Sequence, residues 1–359
     1  MAAPMRIRQP RNFRDRKDVL NELSDAELIK RYRLDRAGIM LVTDLVRERI
    51  TNQTERSRAV TPEMKVLVTL RYLATGKMQL CSGDDLGPSQ QTGSRVITET
   101  LFALSRNEIL SQYFKFPVTL ENCHTKAVDF QQIAGFPGVI GTIDGTHVRI
   151  TAPKEFEAEY VNRKRYHSIN VQVVFDATYR ILDIVARWPG SVHDARILRE
   201  SALNQVVFGR GMVPDGYHLL GDSGYPCKKW LLTPYLRPQP GPQSDYNRAH
   251  KKTRNVVERG IGQLKRRFHV LHGEIRVTPT AKVCQIIKVC AMLHNICKDR
   301  NIRIPAPEDI DEPAEDIEED YDNAPQAVQQ PPLPPVAPRP REGLLYRDEF
   351  VNLHFDNDE

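Results

Sequence analysis

The spacing of apolar residues changes at Gly138, and this change constrains the fold more than any other feature of the 359-residue sequence. Before it, apolar residues recur every three to four positions, as in helices that bury one face. After it come three stretches with the alternation or apolar runs typical of strands: Val139–Ile150, Ile169–Phe175 and Ile181–Trp188. A turn at residues 177–180 joins the last two, so the three stretches are predicted to form an antiparallel meander.

The segments that follow the meander extend the predicted domain. A helix is expected to begin near Val192, a short strand to cover Tyr217–Gly221, and helical segments to continue to about residue 300. Three strands, a helix, a strand and a helix is the order of an RNase H-like domain. We therefore predict an α+β chain in which residues 126–303 form an RNase H-like domain, with a mixed sheet flanked by helices.

Residues 24–125 are predicted to form an all-helical module ahead of that domain. Thr61, Pro62 and Glu63 give an N-cap, a first-turn proline and a first-turn acid. The segment Asp84–Ser89 is predicted to end one helix, turn and cap the next, which is the helix-turn-helix plan. The second helix would display four side chains able to bond base edges of DNA: Gln90, Gln91, Ser94 and Arg95. An ordinary helical hairpin with a polar face is the alternative.

Both ends of the chain are predicted to be disordered. Residues 1–23 form a basic arm whose cluster Arg6–Lys17 fits phosphate contacts, an import signal or a merely solvating tail. Residues 304–359 form a tail that is acidic between Glu308 and Asp320 and then rich in proline. Within it, only the apolar segment Phe350–Phe355 is a candidate to dock on another surface.

Charge and cysteine content indicate the compartment and the class of partner. Lysine and arginine total 51 against 46 acids, a net charge of +5, and the acids concentrate near the C-terminus. The rest of the chain is therefore basic, which favours a polyanionic partner but fits a solvated surface equally well. Six unevenly spaced cysteines indicate reduced thiols. Without an apolar stretch of about 18 residues or a secretory h-region, we expect a soluble protein that is not secreted.

Three cysteine and histidine side chains share one helical face and could ligate a metal. Cys290, His294 and Cys297 follow one another at intervals of four and three residues. The residues around them are apolar, however, and buried cysteines are common in such helices. A packed core is the interpretation that the pattern favours.

Three carboxylates occupy positions that are awkward for a purely structural role. Asp144 interrupts an apolar strand, and Asp222 ends another strand between two glycines. Glu258 lies at the edge of the apolar stripe of its helix, from where it can face the sheet. A turn would explain either aspartate, and an i, i+4 pair with Arg254 on a solvated face would explain the glutamate.

Together these three carboxylates predict a site for two divalent cations. Two strand-borne aspartates and one helix-borne glutamate can converge at one end of a sheet, where carboxylates hold two Mg²⁺ ions, with Mn²⁺ as the alternative. Such a pair activates an attacking water or 3′-hydroxyl and stabilises the charge on the leaving oxygen. The helix of Glu258 also carries a row of basic residues suited to phosphates: Arg259, Lys265, Arg266 and Arg267.

Five blocks of the sequence resemble, in order, the signature blocks of the PIF/Harbinger superfamily of DDE transposases. They are Ile143–His147, Tyr160–Lys164, Trp188–Asp194, Leu220–Tyr225 and Asn255–Arg259, the last followed by Leu264-Lys265. The resemblance covers about residues 55–300. It implies that Asp144, Asp222 and Glu258 form the catalytic DDE triad, with Asp194 as an accessory metal ligand. An acid favoured by the first turn of a helix is the alternative for Asp194.

The resemblance also implies an activity and partners. A working member would cut double-stranded DNA at transposon ends and join the freed 3′-hydroxyl to target DNA. It would act in the nucleus after synthesis in the cytoplasm, together with a separately encoded Myb-like protein, and a homo-oligomer stays open. A domesticated descendant that no longer transposes, either a nuclease or a DNA-binding protein, is the alternative. A metal-dependent hydrolase for another substrate would leave the basic helix and the helix-turn-helix without a role.

Overall fold

The computed structural model describes residues 18–54, 59–77, 89–304, 306 and 341–356. The arm cluster Arg6–Lys17, most of the predicted turn Asp84–Ser89 and the acidic stretch Glu308–Asp320 lie outside these residues. Among the described residues, no helix is both long and apolar enough to cross a membrane. The five cysteines within them are free: Cys123, Cys227, Cys284, Cys290 and Cys297.

Helices come first and last along the described chain, and strands lie between them. The helices before the sheet are α1 (Val19–Glu22), α2 (Asp25–Tyr32), α3 (Arg36–Ile50), α4 (Pro62–Thr75), α5 (Gln90–Leu104), α6 (Asn107–Tyr113) and α7 (Leu120–Ala134). The later helices are α8 (Asp194–Arg199), α9 (Pro242–Arg267), α10 (Thr280–Asp299) and α11 (Arg341–His354). Short 3-10 turns at Glu157–Tyr160 and His269–Leu271 and a π-helical turn at Leu203–Phe208 complete the set.

The strands form one mixed sheet of five. They are β1 (Val139–Arg149), β2 (Ser168–Phe175), β3 (Ile181–Pro189), β4 (His218–Leu220) and β5 (Leu231–Leu232), in the order β3-β2-β1-β4-β5. Strands β1, β2 and β3 pair antiparallel, whereas β4 and β5 run parallel to β1. The predicted meander is confirmed, and the α+β class with a mixed sheet flanked by helices is confirmed with it.

Two helices against the sheet determine the position of the site. Helix α10 has buried residues along nearly its whole length, because it lies between the sheet and the N-terminal helices. Helix α9 packs across β1 and β2, and Gly260 allows the close approach. A Cβ atom at Gly260 would lie 2.8 Å from the ring of Phe175. Any larger residue would push α9 away from the sheet.

The helical region has the predicted caps. Thr61 caps α4 through a bond from the amide of Met64, with Pro62 in the first turn, and Ser89 caps α5 through the amide of Thr92. Helices α4 and α5 pack together. The turn between them falls in residues 78–88, outside the described part, so the helix-turn-helix stays a prediction.

The structure corrects the predicted boundaries at three places. The border between residues 125 and 126 falls inside α7, which packs on β1, and the helical region and the sheet share one hydrophobic core. The arm predicted for residues 1–23 overlaps α1, where Val19 is buried. The tail predicted to be disordered from residue 304 contains α11. Each correction has one cause, which is packing against residues distant in sequence.

Helix α11 packs against α9 and bonds the segment just after β5. The ring of Phe350 stacks on Phe136 with 5.5 Å between centroids, and the Arg347 guanidinium donates to the carbonyls of Thr233 and Pro234 at 3.2 and 3.1 Å. This is the apolar segment that the sequence indicated as a candidate to dock. It docks on the chain itself.

The cysteine and histidine group of α10 is core, as its apolar surroundings indicated. All three side chains are buried. His294 makes a 2.8 Å hydrogen bond through Nε2 to the carbonyl of Tyr179, and the Cys297 thiol donates to the carbonyl of Arg33 at 3.2 Å. These contacts fasten α10 to the β2–β3 turn and to the N-terminal helices.

Candidate active site

Asp144 and Asp222 lie level with each other because β1 and β4 run parallel. Thr142 of β1 is in register with Leu220, the last residue of β4, and each aspartate lies two residues further along the chain. Neighbouring strands are about 4.8 Å apart. The two carboxylates are therefore side by side at the point where β4 ends.

Helix α9 brings Glu258 to the same place through Arg254. The Arg254 guanidinium donates to Oδ2 of Asp144 at 2.9 Å and also bonds Oε1 of Glu258. Arg254 and Asp144 are each 19% exposed. The i, i+4 pair considered from the sequence does exist, but it lies against the sheet and includes the strand aspartate.

Asp194 approaches β1 from the other side. It is the first residue of α8, and its Oδ1 accepts a 2.9 Å hydrogen bond from the Asn170 amide on β2. A Cβ atom at Gly145 would lie 2.4 Å from that oxygen, so only glycine lets the carboxylate lie against the strand. Asp194 thus occupies a helix N-terminus and also lies beside the other two aspartates.

The carboxylates oppose one another's ionisation. Burial raises the pKa of Asp144 to about 6; Arg254 lowers it, and the charges on Asp222 and Asp194 raise it again. Burial also raises the pKa of Asp194, with Asn170 acting against the rise and Asp222 adding to it. A cation placed among them would favour the ionised forms.

The residue set fits a divalent cation. Within the described ranges no group of three or more His, Cys, Asp or Glu side chains is arranged around a metal position, and Arg254 lies between Asp144 and Glu258. The side chains gathered here offer carboxylate oxygens, which are the donors that Mg²⁺ and Mn²⁺ take in proteins. Burial is the main cause of the raised pKa values of Asp144 and Asp194, and the neighbouring carboxylates add to it.

Most of the predicted DNA contacts are accessible. On α5, three of the four predicted side chains are exposed and Ser94 is half-buried; the exposed ones are Gln90, Gln91 and Arg95. On α9, Arg259 and Arg266 are exposed. No contact to DNA is part of the structure, so these assignments stay predictions.

The last turn of α9 corrects the predicted row of phosphate contacts. Arg267 is only 1% exposed and donates to the carbonyls of Ile302 and Arg303 at 3.0 and 3.3 Å, so its assignment to DNA is wrong. Lys265 donates to the carbonyl of His147 at 3.1 Å, and burial lowers its pKa to about 8. Both cations hold α9 in place.

Three residues of the site were not predicted from the sequence to take part in it. The sequence indicated Arg254 only as a partner of Glu258, Asn170 only as a position within the predicted strand Ile169–Phe175 and Tyr225 only as the end of a signature block. Tyr225 is 4% exposed, and its hydroxyl has no hydrogen-bond partner among the described residues. For Asn170 there was a usable signal, because a polar residue in an otherwise apolar central strand must find a partner.

The sheet order, with one carboxylate in the middle of β1 and another just after β4, is consistent with an RNase H-like nuclease fold. In agreement, the family described as DDE superfamily endonuclease matches residues 143–295. That range contains all four acidic residues of the site. No solved structure gives a significant match to the chain.

Similarity to curated proteins extends well beyond that range. The chain is 37% identical over 306 residues to the HARBI1 protein of Mus musculus, which is named as a candidate nuclease; the match covers 84% of this chain and 86% of the mouse protein. It is 34% identical to the HARBI1 protein of Homo sapiens, with 79% and 81% covered. It is also 30% identical to an ALP1-like protein of Arabidopsis thaliana, with 66% and 60% covered. The chain therefore belongs to the Harbinger-derived family of DDE nucleases, which in general use divalent metals.

Proposed function

We propose that the chain is a divalent-cation-dependent DNA endonuclease in which Asp144, Asp222 and Glu258 are the catalytic carboxylates and Asp194 is an accessory ligand. The observation that carries the proposal is the convergence of β1, β4 and α9 on one acidic site. Membership of a DDE nuclease family supports it. Two Mg²⁺ ions, or Mn²⁺ in their place, are the expected cofactors.

The protein's own groups then have distinct tasks. Asp144 and Asp222, side by side at the end of β4, would hold cations between them, with Glu258 and Asp194 closing the site from α9 and α8. When bound, the cations supply an activated water or 3′-hydroxyl and stabilise the leaving oxygen. Arg254 compensates the carboxylates without a cation, and a cation held by Glu258 through Oε1 would compete with it for that oxygen.

The first candidate for the complete reaction is cleavage of DNA at transposon ends, followed by joining of the freed 3′-hydroxyl to target DNA. A domesticated nuclease or DNA-binding protein is the second candidate, favoured by the similarity to ALP1-like proteins, whose name specifies no nuclease. Both interpretations use double-stranded DNA as the partner. Intact inverted repeats around the gene would favour the first interpretation, and their loss would favour the second.

We further propose nuclear action with a Myb-like partner that strengthens import and end-binding. The support is the resemblance to Harbinger transposases and the basic arm Arg6–Lys17, which can itself serve as an import signal. Expression of the tagged chain with and without that partner, and with the arm deleted, tests the idea. Complete nuclear entry and unchanged end-binding in the partner's absence would contradict the dependence on a partner.

The decisive experiment for the nuclease is a cleavage assay on duplex DNA that carries the sequences flanking the gene. Purified full-length chain is incubated with Mg²⁺, with Mn²⁺ or with EDTA, and nicked and joined products are separated on denaturing gels. We expect nicks with either metal and none with EDTA, and joined products if transposition is retained. Binding without any metal-dependent nick would support the DNA-binding protein instead.

A further inference from the structure

A short loop on the rim of the acidic site carries three consecutive basic residues. It comprises residues 161–167, which precede β2, and is called here the basic loop. Arg163, Lys164 and Arg165 are all exposed. Close to the loop in sequence, Glu157 pairs with the last residue of the loop: its Oε1 lies 3.0 Å from Nε2 of His167.

The basic loop is held in one shape by Asn162. This residue is 6% exposed, and its side-chain oxygen accepts from the amides of Lys164 and Tyr166 at 2.9 and 3.3 Å. Its Nδ2 donates to Oγ of Ser168 at 3.1 Å. Arg165 adopts a positive φ of 62°, which non-glycine residues rarely do. A loop fixed in this way presents its charges without losing much conformational entropy on binding.

The basic loop is joined directly to the carboxylate site. Arg163 donates from Nη2 to Nδ1 of His193 at 2.7 Å, and His193 immediately precedes Asp194. Arg163 therefore lies at the edge of the acidic site, next to the residue that precedes Asp194.

A DNA strand, which is a polyanion, needs positive side chains beside the acidic site. A phosphodiester that approaches the site meets several carboxylates, and Arg267 and Lys265 on α9 are turned inward to backbone carbonyls. Arg163 and Arg165 are instead exposed to solvent on the loop beside Asp194, and guanidinium groups bind phosphate oxygens with matched geometry. We propose that the basic loop binds the phosphate backbone of the DNA strand that flanks the scissile bond. This assignment rests on the proposed nuclease function.

Salt-dependent binding of a fluorescent duplex of arbitrary sequence tests the proposal. Each phosphate contact contributes about 0.9 to the slope of log K against log salt, so the double variant Arg163→Gln/Arg165→Gln should lower the slope by about 1.8 between roughly 50 and 200 mM salt. The control is Lys115→Gln/Lys298→Gln. Lys298 lies over the ring of Tyr179, in the turn at the opposite end of β2. Lys115 lies two residues after Tyr113, and the Asn295 side chain donates to the carbonyls of both Tyr113 and Ile181, the first residue of β3.

The outcomes separate the loop from the function on which it rests. A lower slope in the loop variant and a wild-type slope in the control support the assignment. An unchanged slope in a loop variant that still binds and cleaves DNA overturns the assignment and leaves the nuclease intact. A wild-type chain that does not bind the duplex overturns both.

A second and independent observation concerns Tyr225. Its ring packs where Gly221 leaves room: a Cβ atom there would lie 3.1 Å from the tyrosine ring and 3.2 Å from side chains of Ile143 and Leu231. Its hydroxyl is buried and has no partner among the described residues. The backbone amide of Tyr225 donates to the carbonyl of Asp222 at 3.2 Å, which places the tyrosine beside the acidic site. A buried hydroxyl without a partner costs about 1–3 kcal/mol, which makes a ligand for it the economical explanation.

The geometry points to Tyr225 as a positioning residue, whose hydroxyl donates a hydrogen bond to a water molecule held among the three aspartates. Tyr246 provides a matched control, because it is also buried but its hydroxyl donates to the carbonyl of Thr233 at 3.1 Å. The two tyrosines therefore differ in one respect: the Tyr246 hydroxyl bonds a backbone carbonyl, and the Tyr225 hydroxyl has no partner among the described residues. Removing each hydroxyl separates the two roles.

Titration of the full chain with Mn²⁺, followed calorimetrically, tests this role apart from activity. Tyr225→Phe should weaken Mn²⁺ binding about 10–100-fold, as loss of an outer-sphere partner does, while the unfolding midpoint without metal stays equal or rises. Tyr246→Phe should lower that midpoint and leave Mn²⁺ affinity unchanged. Equal Mn²⁺ affinity in Tyr225→Phe and wild type overturns the assignment. Absence of Mn²⁺ binding by wild type overturns the metal-dependent function as well.

Discussion

The middle and the last turn of α9 carry similar charges and use them in opposite ways. In the middle, Arg254 links Glu258 to Asp144 at the acidic site, where burial and the neighbouring aspartates raise the pKa of Asp144. In the last turn, Arg267 is enclosed and donates to two backbone carbonyls. The neighbours of a charged side chain, not its sign, decide whether it serves the fold or the reaction.

The largest expected effect is a loss of DNA cleavage when a carboxylate bonded to Arg254, in the middle of α9, is neutralised. Asp144→Asn and Glu258→Gln should each lower DNA cleavage at least about a thousandfold, or roughly 4 kcal/mol, because a carboxylate ligand to the catalytic cations is lost. For Asp144→Asn, thermal unfolding should change little, since burial already disfavours the charged form of this carboxyl. Cleavage rates and unfolding midpoints, with Glu121→Gln as the surface control, check both statements. Near-normal cleavage in either variant would remove that residue from the catalytic set.

The last turn should show the reverse behaviour. Arg267→Met leaves the carbonyls of Ile302 and Arg303 without their donor and should lower the free energy of unfolding by about 2–3 kcal/mol. Arg266→Gln, one residue earlier and exposed, should stay within roughly 0.5 kcal/mol of wild type. Urea unfolding measures both. A larger loss of stability in Arg266→Gln than in Arg267→Met would reverse the comparison between the exposed and enclosed arginines.

The sequence was informative wherever local spacing determines structure. The strands of the meander begin and end within one residue of their predicted limits, and the caps at Thr61 and Ser89 are those expected. The spacing of apolar residues does not reveal that β4 pairs with β1. It is nevertheless the register of these two strands that brings Asp144 and Asp222 together.

What could not be predicted depends on contacts between distant segments. Arg267 and Arg266 are adjacent in a basic run, and only the position of the chain after α10 makes one of them an anchor. Helix α11 follows a proline-rich stretch, and its order comes from burying Phe350 against Phe136 across more than two hundred residues of sequence. Neither contact leaves a periodic signal in the chain.

Asp183, a carboxylate outside the active site, should make the stability of the protein depend on pH. Asp183 on β3 has a buried Oδ2 without a partner among the described residues, and burial raises its pKa to about 6. A carboxyl group with a raised pKa in the folded state favours folding when protonated, so stability should fall as pH rises from about 4 to 6. Asp183→Asn should remove this residue's share of the decline, leaving that of Asp144, and should stabilise the protein at pH 7 by about 1–3 kcal/mol. Unfolding midpoints across that pH range, with the partnered Asp176→Asn as the contrasting variant, provide the check.

The smallest expected effect concerns exposed side chains that would read DNA sequence. Gln91 and Arg95 face solvent on α5 and form no described ion pair, so their replacement should not affect folding. Selection from random duplexes first gives the preferred sequence. Gln91→Ala and Arg95→Ala should then reduce discrimination against a mismatched base pair by about 1–3 kcal/mol, because each can bond a base edge through two donor or acceptor atoms. Affinity for arbitrary DNA should stay near that of wild type, in contrast to the basic loop variants. If affinity instead fell equally for every duplex, these residues would be phosphate contacts, and α5 would hold DNA without selecting its sequence.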